Sequence, residues 1–237
     1  MERRYERNIP ALSDQECRLL RSKRVAVIGC GGIGGYLIEL LARIGVGYIR
    51  TVDGDVFDES NFNRQLLSEQ PLMGRPKAKA AEARVQRINP RIEVEPVAAY
   101  LDKSNAKEIV SGCDLVLDGL DNIPARRILA AACTEANVPF IHGAISGWVA
   151  QVGISMPGDG LIDLLYPEGV SFRDRSVLSF APALCASVQA ALAVKMLIGR
   201  PVETGTIYYF DLLNQEFETI RLDLGRRNDC PGSLTES

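Results

Sequence analysis

The sequence predicts an α/β protein: a Rossmann-like, doubly wound, mostly parallel sheet with a C-terminal antiparallel extension. Three observations carry that reading. A β-branched apolar run passes straight into a glycine cluster, VIGCGGIGGYL over residues 27–37, the strand–turn–helix opening of a nucleotide-binding unit. Strand-like and helix-like segments then alternate from residue 24 to residue 144, the grammar of parallel βαβ units. After Gly147 that alternation stops, and the chain closes on TIYYFDLLNQEFETIRLD, which reads as two strands about a tight Asn214-Gln215 turn.

Ser13-Asp14-Gln15-Glu16 has capping-box spacing, which predicts a helix over 13–22. Val25, Val27 and Ile28, with a glycine turn behind them, predict a buried strand over 24–29. Helical spacing runs through Leu37, Leu40, Leu41 and Ile44 and stops at Gly45; residues 48–53 are a second strand. The polar, irregular stretch 54–76 is longer than a compact fold carries without using it. Beyond it the pattern predicts a helix over 77–88, strands over 93–98 and 115–118, a helix over 125–136 and a strand over 140–144. A strand over 151–156, a crossover loop over 157–176 and a helix over 181–197 lead to the terminal hairpin. This organises the 237 residues as one domain. Its nucleotide-binding half spans about 22–147; the crossover loop, helix and hairpin span about 148–224; a tail covers 225–237.

Composition is that of an ordinary globular protein, 46% hydrophobic and 24% charged. A formal net charge of -3 speaks against nucleic-acid binding through a broad basic face. The N-terminal MERRYERNIPALSD lacks the apolar core of a signal peptide. The apolar run 178–194 contains Pro182 and Gln189 and reads as a buried helix, not a membrane span. Six irregularly spaced cysteines suggest reduced thiols, and so a cytoplasmic location.

Gly29, Gly31 and Gly34 fit G-x-G-x-x-G: a tight turn, close backbone approach to phosphate oxygens, and close helix–strand packing. Asp53, ending the next strand, is placed to accept from ribose hydroxyls. Taken alone, this would suggest a nicotinamide-dependent dehydrogenase. The long loop alters that reading. It holds Ser60-Asn61-Phe62-Asn63-Arg64-Gln65, and Gly74-Arg75-Pro76-Lys77 opens the next helix. Arg64 offers a planar fork of donors and Lys77 a point charge, which suit a triphosphate better than a bridge between two nucleosides. Asp118-Gly119-Leu120-Asp121-Asn122 ends a predicted parallel strand, where ligands gather, and a carboxylate there suits Mg²⁺. The bland alternatives are a surface arginine, a surface lysine at a helix start and an aspartate capping the next helix.

These motifs, in this order, resemble the ThiF/MoeB/HesA group, the bacterial relatives of ubiquitin-activating enzymes. The resemblance covers nearly everything from Arg4 to Asp223. It runs through Arg4-Tyr5-Glu6-Arg7-Asn8, the glycine loop, Asp53-Gly54-Asp55, the Ser60–Gln65 run, Gly74–Lys77, Arg87-Ile88-Asn89-Pro90, Asp121-Asn122 with Arg126, and Gln189-Ala190 with Lys195-Met196-Leu197. It implies an ATP-dependent adenylyltransferase. Its substrate would be a small ubiquitin-like sulfur carrier protein ending in Gly-Gly, whose carboxylate attacks the α-phosphate and releases pyrophosphate. By position, the resemblance assigns nucleotide contacts to Gly32, Asp53, Asp55, Ser60, Asn61, Asn63, Arg64, Lys77, Asp121 and Asn122, beside Gly29, Gly31 and Gly34. It makes Asp121 the Mg²⁺ ligand and Arg7 an arginine reaching across a homodimer interface.

The chain departs from the family in two ways. It contains no C-x-x-C, so no structural zinc site is expected; Gly160 to Tyr166 occupies the place of the first pair, and Cys230 stands alone in the tail. No cysteine lies between Gly143 and Ala183, and Cys185 falls inside an apolar helix. Adenylation without covalent cysteine transfer is therefore expected, with a separate molecule as sulfur donor. His142 reads as a buried or site-edge residue, not a catalyst. The other readings are adenylation of a modified tRNA base or a peptide C-terminus, and a catalytically silent nucleotide-binding scaffold. The acidic balance weighs against tRNA, with Arg84, Arg87 and Arg91 left as a local basic patch that would serve it.

Overall fold

The computed structural model describes residues 2–169 and 176–223. The expected tail, with Cys230, lies outside the described residues, as does part of the crossover loop. The sheet has eight strands: β1 (Arg24–Ile28), β2 (Tyr48–Val52), β3 (Glu93–Val97), β4 (Leu115–Asp118), β5 (Phe140–Ser146), β6 (Val149–Ser155), β7 (Thr206–Asp211) and β8 (Glu216–Arg221). Their spatial order is β3-β2-β1-β4-β5-β6-β7-β8. The first five are parallel; β6, β7 and β8 add antiparallel. The fold class read from the sequence is the one observed.

Seven α-helices accompany the sheet among the described residues: α1 (Asp14–Leu20), α2 (Gly32–Ile44), α3 (Lys77–Ile88), α4 (Ala106–Val110), α5 (Ile123–Ala136), α6 (Leu161–Leu165) and α7 (Phe180–Leu197). The Ser13/Glu16 capping box forms as expected and starts α1. Gly45, with φ 96°, ends α2 in the left-handed region. The sequence reading passed over five elements: α4, α6 and the 3-10 turns Arg3–Asn8, Glu59–Asn61 and Gln70–Leu72. Each is about one or two turns long, too short for a helical period to show. The antiparallel part also begins earlier than expected. β5 and β6 form a hairpin about Gly147-Trp148, pairing Ser146 with Val149, and Gly147 has φ 55°.

Alternate residues of the central strands divide the core. Val25 and Val27, with Leu115, Leu117 and Ile141, face α2, α3 and α7. Ala26 and Ile28, with Val116 and Phe140, face α4, α5 and α6. Both faces are covered, so the strands read as continuous apolar runs. The apolar helix α7 lies on this core, burying Ala181, Cys185, Ala186, Gln189, Leu192, Ala193 and Leu197.

Candidate nucleotide site

The strand order reverses between β1 and β4: the chain leaves β1 for β2 on one side, while β4 pairs with the other. Such a switch point opens a crevice at the carboxyl ends of the two strands. Gly29, Gly34 and Gly119 close its floor. A Cβ on Gly34 would lie 1.7 Å from the Gly29 carbonyl oxygen, and one on Gly29, which has φ 91°, would lie 2.6 Å from that of Gly119. Strand ends and helix therefore meet backbone to backbone. Gly31 caps α2 without a side-chain acceptor, so the first-turn N–H groups face the crevice unpaired by any cap.

Asp53 does a job that the spacing did not reveal. Its Oδ2 accepts the Cys30 N–H at 2.7 Å and its Oδ1 accepts the Asp55 N–H at 2.8 Å, bracing the glycine loop against the end of β2. Burial raises its carboxyl above the usual carboxylate range, against those two bonds and the charge of Lys77. Lys77 is not a surface lysine: it is 5% exposed, opens α3, and donates to Asp55 Oδ2 at 3.0 Å. Asp55 also accepts from the Tyr100 hydroxyl. Burial works to raise its carboxyl, but the Tyr100 and Lys77 bonds outweigh it and hold the group low.

The long loop supplies the opposite wall. Arg64 sends Nη1 to the Ser60 carbonyl and to Asn63 Oδ1, both at 2.8 Å, and no carboxylate pairs with it among the described residues. Its Cγ lies 3.9 Å from where a Gly32 Cβ would stand. Asn61 is buried and turned into the loop: its Oδ1 accepts the Asp58 N–H, completing a capping box around Glu59–Asn61. Asn63 donates to the Val177 carbonyl at 3.2 Å, tying the loop to the segment before α7. Gln65, which the sequence reading quoted without a role, is 7% exposed beside Gly31, and its Oε1 is buried without a hydrogen-bond partner. It is the amide nitrogen Nε2 that lies nearest the glycine loop, 3.6 Å from where a Gly31 Cβ would stand.

Beyond β4 the structure settles which residue caps α5. Asn122 takes the cap, its Oδ1 accepting the Ala125 N–H at 2.9 Å. Asp121 is left exposed, touched by the Asn122 amide at 3.1 Å and by no cation among the described residues. An unpaired carboxylate at the crevice mouth fits a hard divalent cation, which binds through one or two carboxylates and substrate phosphates. Asp118 is the opposite case. It is fully buried and paired with Arg126 at 3.1 Å and His142 at 2.8 Å. Burial pushes its carboxyl up, yet Arg126 and His142 hold it below the usual range. Burial lowers the His142 imidazole despite Asp118, so the ring is neutral near pH 7. His142 is thus a core residue, as the sequence suggested.

Arg7 is not brought to the crevice. Its turn packs where Tyr5 meets Gly45, at the C-terminal end of α2, while the glycine loop lies at the other end. Thirteen helical residues separate the two ends by about 20 Å. Cys185 is fully buried, and burial raises its thiol far above the usual range. No cluster of three or more His, Cys, Asp or Glu suited to a metal occurs among the described residues.

The ThiF family model matches residues 5–232. The chain belongs to the ThiF family. Among curated ThiF-type relatives, the SAMP-activating enzyme E1 of Haloferax volcanii is 37% identical over 221 residues, covering 90% of this chain and 80% of that protein. The molybdopterin-synthase adenylyltransferase of Escherichia coli is 33% identical over 211 residues, covering 86% and 84%. In fold, the ThiF chain matches the crystal structure of E. coli MccB with ATP at a TM-score of 0.81, with 22% identity, over 97% of this chain and 74% of that one.

Proposed function

We propose that this protein is an ATP-dependent adenylyltransferase that activates the C-terminal Gly-Gly carboxylate of a small ubiquitin-like sulfur carrier protein. The names of its curated relatives support the reaction class, an adenylyltransferase in E. coli and a SAMP-activating enzyme in H. volcanii. One observation supports the reading for this chain: at the β1/β4 switch point Arg64 packs against Gly32 of the glycine loop, and Lys77 joins the same loop through Asp55 and Asp53, while the exposed Asp121 follows β4, the strand paired with β1.

The residues present suit that chemistry. A carrier carboxylate oxygen attacks the α-phosphorus, the bond from that phosphorus to the β-bridging oxygen breaks, and pyrophosphate leaves. Anion meets anion, so the protein must neutralise charge and align reactants. The nucleophile is already ionised near neutral pH and needs no base. The N–H groups of the glycine loop and α2 receive phosphate oxygens. Arg64 presents its fork, and Lys77 exchanges Asp55 for phosphate. Mg²⁺ held by Asp121 would supply charge neutralisation on the phosphates. Arg7, some 20 Å away along α2, serves the partner's site in a homodimer. The buried, unreactive Cys185 supports release of the adenylate to a separate sulfur donor, and the buried free thiols suit a cytoplasmic location.

The test is ATP–pyrophosphate exchange with candidate carriers, each with and without its last glycine. Exchange that depends on that glycine is expected. Exchange with no carrier present, or with a carrier lacking it, would count against this substrate class.

A further inference from the structure

Beneath the Asp121 loop lies a buried polar assembly that the proposed chemistry does not use directly. Asp118, the last residue of β4, accepts three bonds: the Leu120 N–H on Oδ1 at 2.9 Å, and Arg126 Nε at 3.1 Å and His142 Nδ1 at 2.8 Å on Oδ2. Arg126 then spreads Nη2 over the Leu120 carbonyl at 2.6 Å and the Gly143 carbonyl at 3.1 Å. Leu120 is therefore gripped by both its backbone groups, N–H by Asp118 and C=O by Arg126, one residue before Asp121. On the far side of the ring, Nε2 lies 2.9 Å from the Tyr166 hydroxyl. A neutral ring facing a carboxylate through Nδ1 carries its proton there, so Nε2 accepts from Tyr166. The Gln151 amide donates to the Tyr166 oxygen at 2.9 Å.

Stability alone is a weak account of this assembly. Apolar side chains of similar volume replace buried ion pairs at little or no cost. What Arg126 adds is a rigid fork with three fixed acceptors, and what His142 adds is a donor with a single orientation. We propose that Arg126 and His142 are positioning residues: through Asp118 and Leu120 they fix the loop that presents Asp121 to the metal-bound nucleotide. This rests on the reading of Asp121 as the magnesium-holding residue, and it adds the parts that keep that carboxylate in register.

The chain contains one histidine. In untagged full-length protein, every imidazole NMR signal therefore belongs to His142. The experiment saturates the protein with a non-hydrolysable ATP analogue and then adds Mg²⁺. A shift of the His142 Nδ1–H resonance on adding the metal is expected, and Asp121→Asn should remove it. A resonance that Mg²⁺ leaves unmoved in the saturated wild-type protein overturns the proposal. In a second arm, Arg126→Lys keeps the charge beside Asp118 but cannot span Leu120 and Gly143 together. The Mg²⁺ concentration that half-maximally tightens analogue binding, read by calorimetry, should rise by about tenfold or more, the usual effect of losing an outer-shell partner. His142→Asn, which keeps a donor towards Asp118, should restore the metal response that His142→Leu loses. A folded Arg126→Lys protein with wild-type metal dependence also overturns the proposal. Metal coupling to His142 without exchange on any carrier would sink the proposed function and leave the positioning role standing. Exchange without coupling would do the reverse.

Discussion

Gly34→Ala is the sharpest perturbation of the site, because its consequence follows from backbone atoms alone. The new Cβ would stand 1.7 Å from the Gly29 carbonyl oxygen and 2.7 Å from its carbon. Real Cβ contacts do not fall below about 3.0 Å, so α2 and the loop must separate by roughly 1.3 Å. Gly29 cannot retreat freely, since its N–H is bonded to the Val52 carbonyl at 2.7 Å and Gly119 stands behind it. Overpacking of this kind costs about 1–3 kcal/mol. The larger effect falls on the reaction: displacing by about 1 Å the first-turn N–H groups of α2, proposed above to receive phosphate oxygens, is expected to lower exchange about 10²-fold. Gly74→Ala is the control. It has φ 70° and nothing within 4 Å of its added Cβ, so only left-handed strain of about 1–2 kcal/mol applies, with exchange little changed. Urea denaturation gives the stability term, and pyrophosphate exchange at saturating carrier gives the rate. A folded Gly34→Ala protein exchanging within about threefold of wild type would refute the reasoning.

Three further expectations concern charge. Arg64→Ala should lower adenylation by about 10²–10³, the effect of losing one transition-state donor; an unchanged rate would remove Arg64 from the site. Mixing Arg7→Ala with Asp121→Ala protein should restore part of the activity, through hybrid dimers with one intact site. No recovery after verified subunit exchange would argue that Arg7 acts within its own chain. Acid should weaken the fold through His142 and Asp118, both of which have depressed folded values. Their stabilisation is present above the unfolded values, about 6.5 and 3.9, and is lost as pH falls towards the folded ones. As pH falls below about 6.5 the His142 contribution should cost up to about 1.4 kcal/mol per pH unit, and His142→Gln should flatten that slope in urea titrations. Identical slopes in the two proteins would contradict a neutral buried imidazole.

The parts of this protein legible in sequence are those set within a few residues. Val25, Val27 and Ile28 running into Gly29 declare a strand and its turn, and Ser13 with Glu16 declares a helix start. Arg64, Lys77 and Asp121 could be picked out by charge and position after predicted strands. The helices α4 and α6, at five residues each, are too short to show a period; Ile109, Val110 and Ile162 hold them in the core cluster they share with α5 and the sheet.

Tertiary structure alone decided the work of several polar groups. Which of Asp121 and Asn122 caps α5 was decided by the folded backbone: Asn122, at φ -139° and ψ 147°, takes the cap, and Asp121 is left open. Asp53 braces Cys30 across 23 positions of chain, and Asp118 meets His142 across 24. The sequence by itself determined the Rossmann-like order of elements and the inventory of charged groups, since local periodicity and turn chemistry encode both. Which charge stays open to solvent and which is buried and bonded was decided by the folded chain, because those partners become neighbours only when β1, β4 and β5 lie side by side.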